Sequence, residues 1–300
     1  MKSLISTLRL TCLVLLTASL LPAAPEAPDP PPPFLWKVEA STGTSTIFGT
    51  IHSGDPLVRT LPEEVLLALR SSKTFHPEID LSPTNLALLT TALFDWQSPP
   101  LAQRLPPPLY ERVKAAAAQR GIPEIMLQRL EPKLIPFLFV QPSESHLEHI
   151  VDFQLQRLAT ELDIPVIALE TVEEQLNLFR NLSDEESMRW IDLALKEEER
   201  GHPSYRELVK LYARRNEHGI LTLLAEQMQD PAIREAMEDL LYRRNANMVE
   251  KAIPHIQEGN AFIAVGLAHL IGENSMITLL REKGFSVERA GVPRGEPRDF

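Results

Sequence analysis

The stretch IFGTIH at residues 47–52 decides the fold class, because its pattern recurs near the other end of the chain as AVGLAH at residues 264–269. In each copy an apolar run ends at Gly-x-x-His. An apolar run that stops at a glycine is typical of a buried strand, and α/β proteins place their chemistry at the carboxyl ends of such strands. One copy is a weak signal. The pair predicts that His52 and His269 end two strands of one sheet and share one cleft.

Acidic side chains follow in a third strand-like segment. Residues 74–81 alternate between polar and apolar side chains, so His76, Glu78 and Asp80 are predicted to share one face of a strand. When each residue is taken alone, solvation of an edge strand explains Glu78 and Asp80 equally well.

Another acidic position ends a fourth apolar run. Residues 164–169 predict a strand that ends at Glu170, with Val166 and Ala168 in the core. Thr171 and the glutamate three residues later have the pattern of a capping box, which begins a helix. Taken alone, Glu170 is also explained as a favourable charge at a helix N-terminus.

Length and composition are those of a globular enzyme. The chain has 300 residues, of which 44% are hydrophobic and 24% charged, and this is enough for a sizeable core. The net charge is −11 and the basic residues are dispersed. This composition argues against nucleic acid and anionic lipid as partners.

The first residues are predicted to be a targeting segment. Residues 1–24 carry Lys2 and Arg9 before an apolar run at 10–21, which suits a signal peptide and is short for a membrane span. The only cysteine, Cys12, lies inside that run. We therefore expect a secreted or periplasmic protein with no stable membrane span after processing. Any metal in the processed chain must be held by nitrogen and oxygen ligands.

The remaining chain is predicted to be a proline-rich linker at 25–33 and a single α/β domain at 34–300. Strands are expected at 35–40, 44–51, 74–81, 164–169, 261–265 and 285–289, and the last helix at 269–283. Two helical insertions, at about 83–161 and 184–256, separate the strands, and prolines divide the first into short helices. The expected architecture is a central mixed β-sheet flanked by helices, with a largely helical middle or cap region.

Several short patterns in chain order resemble one known family. They are LW at 35–36, FGTIH at 48–52, EID at 78–80, LET at 169–171, EQ at 174–175, RN at 244–245 and AVGLAHL at 264–270. Together they resemble the TraB/GumN family, which is related to the Tiki metalloproteases and is more distantly similar to the erythromycin esterases. The resemblance covers residues 34–289 and is specific at both ends. It departs from the family pattern at His76-Pro77, where an aliphatic pair is usual.

The resemblance implies an α/β fold whose cleft holds both Gly-x-x-His histidines and at least one acidic residue. For the Tiki branch it implies metal-dependent hydrolysis of peptides. The positions that match the family are His52, Glu78, Asp80, Glu170, Arg244, Asn245 and His269. Of these, His52, His269, Glu78 and Asp80 are the expected metal ligands, and Glu78, Glu170, Arg244 and Asn245 the expected catalytic residues.

The residue types support that chemistry independently. Imidazoles and carboxylates without thiols suit zinc, manganese or cobalt with positions left open for water. In this scheme His52 and His269 are ligands, either Glu78 or Glu170 is the third ligand, and the other glutamate is the general base. Arg244 would stabilise the oxyanion.

Other interpretations of the sequence remain open. One is a metal-free hydrolase, similar to the erythromycin esterases, in which a histidine activates water. Another is a protein that binds a peptide signal without cutting it. The expected partner is a peptide or small-molecule substrate. The segment HLEH at 146–149 is a weaker candidate metal site on a helix, and the oligomeric state is not predicted.

Overall fold

The computed structural model describes residues 32–139, 142, 147–229, 234 and 238–291. The predicted signal peptide and most of the predicted linker lie outside these residues, so both stay predictions, as does the single domain at 34–300. Within the described ranges, five strands form one sheet. They are β1 (Leu35–Ala40), β2 (Gly43–Thr50), β3 (Thr74–Pro77), β4 (Ala261–Gly266) and β5 (Ser286–Arg289).

The sheet is mixed, with the order β3-β4-β2-β1-β5. Strands β3, β4 and β2 are parallel to one another. Strand β1 pairs antiparallel with both β2 and β5. The predicted α/β fold with a central mixed sheet is therefore confirmed.

Helices surround the sheet and fill the middle of the sequence. Within the described residues the α-helices are α1 (Glu63–Arg70), α2 (Pro83–Ala92), α3 (Leu101–Arg104), α4 (Pro107–Gln119), α5 (Glu124–Leu127), α6 (Ile135–Leu138), α7 (Val151–Glu161), α8 (Val172–Arg180), α9 (Asp184–Glu199), α10 (Pro203–Ala213), α11 (Glu217–Gln227), α12 (Arg244–Glu258) and α13 (Met276–Glu282). Proline begins α2, α4 and α10. Its missing N–H is not needed in the first turn of a helix, which explains these starts.

Alternation along the strands separates two apolar layers. On β4, Phe262 and Ala264 pack on one face with residues of α1 and α7, whereas Ile263 and Val265 pack on the other face with residues of α12 and α13. Because successive side chains of a strand point to opposite faces, one buried strand supports both layers. Helices α7 and α12 therefore lie on opposite faces of the sheet.

A separate apolar cluster holds the helical middle of the chain together. Residues from α4 and α9, such as Val113 and Ile191, are fully buried in it. These two helices come from the two predicted insertions, which therefore share a core. Across the described residues, no helix is both long and apolar enough to cross a membrane.

Three predicted elements differ from the structure. Strand β3 ends at Pro77 instead of extending to residue 81. Residues 164–169 run along β3, where the Ile167 and Leu169 amides donate to the Phe75 and Pro77 carbonyl oxygens, but only Val166 and Phe75 form a parallel bridge. Pro165 and Ile167 are exposed. Val166 and Ala168 are consequently only half-buried. The last predicted helix is a 3-10 turn at Leu267–His269 followed, after a break, by α13.

Candidate active site

The carboxyl ends of the three parallel strands lie at the same end of the sheet. His52 lies two residues beyond β2, Glu78 directly follows β3, and His269 lies three residues beyond β4. Glu170 ends the edge segment beside β3, where its backbone amide donates to the Glu78 carbonyl oxygen at 2.7 Å. Parallel strands deliver their ends to the same edge, so residues far apart in sequence are brought together.

Gly266 lies at the centre of this group of side chains. A β-carbon built on Gly266 would be 3.2 Å from Glu78 Oε1, 3.5 Å from His52 Nε2 and 3.7 Å from His269 Cδ2. The side chains of Glu78, His52 and His269 therefore surround the space that a side chain at position 266 would fill. The absence of a β-carbon lets them approach one another.

His52 is held from one face of the sheet. Its Nδ1 lies 2.9 Å from the Oδ2 atom of Asp152 in the first turn of α7. The other carboxylate oxygen, Oδ1, accepts a hydrogen bond from the Thr50 hydroxyl at 2.8 Å. The Asp152 carboxylate raises the pKa of His52 to about 9, so the metal-free ring carries a proton on both nitrogens near pH 7, and a metal that binds Nε2 would have to displace one of them. Sequence reasoning missed Asp152, because an acidic residue in the first turn of a helix is ordinarily explained by the helix dipole.

His269 is held from the opposite face. Its Nδ1 lies 2.6 Å from the Oδ1 atom of Asn245, whose side-chain amide donates to the Asn274 carbonyl oxygen. That second bond leaves Asn245 Oδ1 as an acceptor, so Nδ1 of His269 carries the proton and Nε2 is left with a lone pair. Burial lowers the pKa of His269 to about 4. The ring is therefore neutral near pH 7, with Nε2 at 3.7 Å from Glu78 Oε1.

Glu78 is buried and ionised. Its Oε1 accepts the Gly266 backbone N–H at 2.6 Å, and its Oε2 accepts from Arg244 Nη2 at 2.7 Å. Burial raises the pKa of Glu78, but the nearby His269, His52 and Arg244 outweigh that effect and hold the pKa at about 2. The structure thus places a permanent negative charge between the two histidines.

Arg244 joins the two glutamates. Its guanidinium donates to both Glu170 oxygens, with Nε 2.9 Å from Oε1 and Nη2 2.6 Å from Oε2, besides its bond to Glu78. Gln175 of α8 also donates to Glu170 Oε2 at 3.1 Å. The predicted capping box of Thr171 and Glu174 is confirmed, and it begins the helix that carries Gln175. Burial lowers the pKa of Arg244, but its hydrogen bonds to Glu170 and Glu78 and their negative charges outweigh burial. The net result is a pKa above the ordinary value for arginine.

Asp80 is bonded to a different set of groups. Its carboxylate accepts hydrogen bonds from the Ser82 backbone amide and from the side chains of Asn85 and Gln156. The regular strand ends at Pro77, so the alternation that was expected to place Asp80 beside Glu78 does not continue to it. The structure gives no support to Asp80 as a ligand beside the two histidines.

His76 is a core histidine rather than part of the site. Its Nδ1 lies 2.9 Å from the Ile167 carbonyl oxygen and its Nε2 lies 2.9 Å from the Thr74 hydroxyl. Burial lowers its pKa to about 4, and the neighbouring His255 adds to the effect. The rival segment at 146–149 begins with His146, outside the described residues, and its last three residues form a 3-10 turn.

The donor set fits a divalent metal in type. Both histidines have an oxygen acceptor on Nδ1, an arrangement that leaves Nε2 as the ligand atom in most metal-binding histidines. Glu78 adds a carboxylate oxygen beside them. In the part of the chain that the structure describes, no three histidine, cysteine, aspartate or glutamate side chains already form a metal-holding group. Glu78 Oε1, which now accepts the Gly266 amide, would have to turn toward the metal.

Comparison with known proteins identifies the family. The sequence profile of the TraB/PrgY/gumN family matches residues 34–289, and the chain belongs to this family. Among curated proteins, it is 23% identical to Metalloprotease TIKI1 and 24% identical to Metalloprotease TIKI2, both from Danio rerio. Each match covers 88% of this chain and spans 64% and 62% of the two relatives' lengths, respectively. No solved structure matches the chain.

Proposed function

We propose that the protein is a metal-dependent hydrolase that acts on peptides. The observation that carries this proposal is the approach of His52 Nε2, Glu78 Oε1 and His269 to the β-carbon position of Gly266. The two relatives named as metalloproteases support a peptide substrate. Membership of the family supports the fold that carries the site. The peptide substrate and the metal are part of our proposal.

The proposed ligands are His52, His269 and Glu78. A bound zinc, manganese or cobalt ion would supply Lewis acidity and lower the pKa of a water ligand. Glu78 is preferred over Glu170 as the third ligand because it lies beside both imidazoles, whereas both oxygens of Glu170 are bonded to Arg244.

The remaining groups have roles in proton transfer and charge. Glu170 is the carboxylate left to accept a proton from the attacking water and to return it to the leaving amine. Arg244 holds Glu170 and Glu78 at a fixed separation and supplies positive charge for the oxyanion. Asn245 contacts His269 and acts through it. Substrate is expected to enter past His52, whose side chain is 58% exposed, whereas the other groups are buried.

Removal of one histidine tests the proposal. His52→Ala and His269→Ala should each abolish binding of zinc and hydrolysis of peptides, because each removes one of about three protein ligands. The matched control is His218→Ala, since His218 is exposed on α11, which carries none of the proposed ligands or catalytic residues. Metal content, peptide turnover with and without a chelator, and circular dichroism are measured on all four proteins.

Two outcomes would contradict the proposal. Peptide cleavage that survives a chelator but is lost in His52→Ala would assign the chemistry to a metal-free hydrolase, in which the Asp152–His52 pair activates water. Retention of peptide without turnover, and without sensitivity to the chelator, would indicate a binding protein.

We also propose that the protein is exported. The mature chain is expected to begin near Pro25 and to contain no cysteine, because Cys12 lies within the predicted signal peptide. Mass spectrometry of the protein recovered from the producing cells and from their medium measures the mature N-terminus. A mature form that keeps Cys12, with or without a lipid, would contradict this proposal.

A further inference from the structure

We infer that Asp152 and Thr50 are positioning residues for His52 and determine which ring nitrogen it offers to the metal. The role rests on the proposed function, because it assumes that His52 Nε2 is a metal ligand. Neither residue belongs to the Gly-x-x-His pattern as a ligand, and Asp152 lies 100 positions away from His52 in sequence.

The hydrogen bonds run in one direction. The Thr50 hydroxyl donates to Asp152 Oδ1 at 2.8 Å, and Asp152 Oδ2 lies 2.9 Å from His52 Nδ1. A carboxylate can only accept hydrogen bonds, so the proton of this contact is on Nδ1 of His52. Nε2 is then the nitrogen that a metal would bind after displacing its proton, and it is the atom that lies beside Gly266.

The two histidines need different restraints. His269 is 4% exposed, so packing restricts its ring, and a neutral amide from Asn245 holds its Nδ1. The His52 side chain is 58% exposed, so packing restricts its rotation less than that of His269. A charged partner makes a stronger hydrogen bond than a neutral one, and it also makes the imidazole a better donor to a metal. The exposed histidine therefore has the carboxylate.

Each restraint comes from a helix on its own face of the sheet. Asp152 is in the first turn of α7, which packs beside Phe262. Asn245 is in α12, which packs beside Ile263 and directly continues a π-helical turn at Glu238–Arg243. Thr50 ends β2 and is buried, so its hydroxyl fixes the carboxylate from the strand that carries His52. The site is thus held by both layers of the fold.

Two isosteric variants test the role. Asp152→Asn keeps the size of the side chain and removes its charge, and Thr50→Val removes the hydroxyl that orients it. The control for Asp152→Asn is Asp184→Asn, because Asp184 is also an acidic residue in the first turn of a helix. The control for Thr50→Val is Thr46→Val, on the same face of the same strand.

The probe is Zn²⁺. Asp152→Asn is expected to bind it about 10- to 100-fold more weakly than the wild-type chain, the usual effect of removing an outer-shell partner of a ligand. Thr50→Val should weaken binding less, and both controls should match the wild type. Nitrogen-15 spectra of the zinc-loaded wild type should show His52 with a proton on Nδ1 and zinc on Nε2. In Asp152→Asn the spectra should show a mixture of His52 tautomers. Thermal unfolding checks that the variants fold.

The outcomes separate the two proposals. A wild-type chain that binds no Zn²⁺, Mn²⁺ or Co²⁺ overturns the proposed function and this role with it. A wild type that binds Zn²⁺, together with an Asp152→Asn variant of unchanged affinity and unchanged His52 spectrum, overturns the role of Asp152 alone. If Asp184→Asn lowers the zinc affinity as much as Asp152→Asn does, the cause is the loss of a charge at a helix N-terminus. That result would also overturn the role of Asp152.

Discussion

Gly266 shows at the scale of one residue why the second Gly-x-x-His copy has its glycine. The space beside its α-carbon is surrounded by Glu78 Oε1, His52 Nε2 and the ring of His269. Gly49 occupies the same place in the first copy, but a β-carbon there would lie 2.7 Å from Leu267 Cδ1. The same motif position therefore meets polar side chains of the candidate site in one copy and the apolar core in the other.

Alanine at these two positions should have different consequences. Gly266→Ala displaces Glu78 by a few tenths of an ångström and puts a methyl group against His52. We therefore expect weaker zinc binding and slower peptide hydrolysis with little loss of stability. Gly49→Ala overpacks the core, and we expect a loss of about 1–3 kcal/mol in the free energy of unfolding. Urea unfolding and zinc titration of both variants measure the two effects. Equal loss of stability in both variants would contradict a functional role for the space beside Gly266.

At the scale of elements, helix α8 connects local sequence to the site. Thr171 accepts the Glu174 backbone N–H, and Glu174 accepts the Thr171 backbone N–H, so the helix begins directly after Glu170. One turn later Gln175 reaches Glu170 and, at 3.4 Å, Glu78. Helix α9 has the same capping box, formed by Ser183 and Glu186.

The two capping boxes provide a matched pair of variants. Thr171→Ala and Ser183→Ala should each lower the free energy of unfolding by about 1 kcal/mol, because each removes one N-cap hydrogen bond. Only Thr171→Ala is expected to reduce peptide turnover as well, since its helix positions Gln175 against both glutamates. Urea unfolding and steady-state kinetics test this. A Ser183→Ala variant that loses as much turnover as Thr171→Ala would show that the effect is one of stability alone.

At the scale of the whole molecule, the sheet and the helical middle have separate cores. Leu155 is fully buried on the face of the sheet that α7 covers, and Leu195 is fully buried in the cluster of α4 and α9. The site lies at the sheet edge, and both of its restraining helices belong to the sheet layers.

Leucine-to-alanine variants compare the two cores. Leu155→Ala and Leu195→Ala should each cost about 2–5 kcal/mol, the range for a buried leucine replaced by alanine. Hydrogen exchange should show that Leu195→Ala lowers protection chiefly in α4 and α9, and that Leu155→Ala lowers it chiefly in α7 and the sheet. Loss of protection spread evenly over the molecule in both variants would mean that the layers open as one unit.

The amino-acid sequence by itself determined the α/β class, the strands that carry the two Gly-x-x-His copies, the capping box at Thr171 and the family. Each of these depends on a local period or a short motif, which a stretch of ten residues already contains. The strand predicted at 164–169 is hydrogen-bonded to β3 but is reduced to one parallel bridge, at the outer side of the sheet and in a segment that contains a proline.

Only the tertiary structure decided how the side chains are divided between the site and the scaffold. It joined Arg244 to both glutamates, bonded Asp80 to Gln156, and placed Asp152 against His52. The partners in these pairs lie between 74 and 166 positions apart, and no local pattern relates them. Their contacts follow from the parallel pairing of three strands and from the packing of α7 and α12 on opposite faces, which depend on the whole chain.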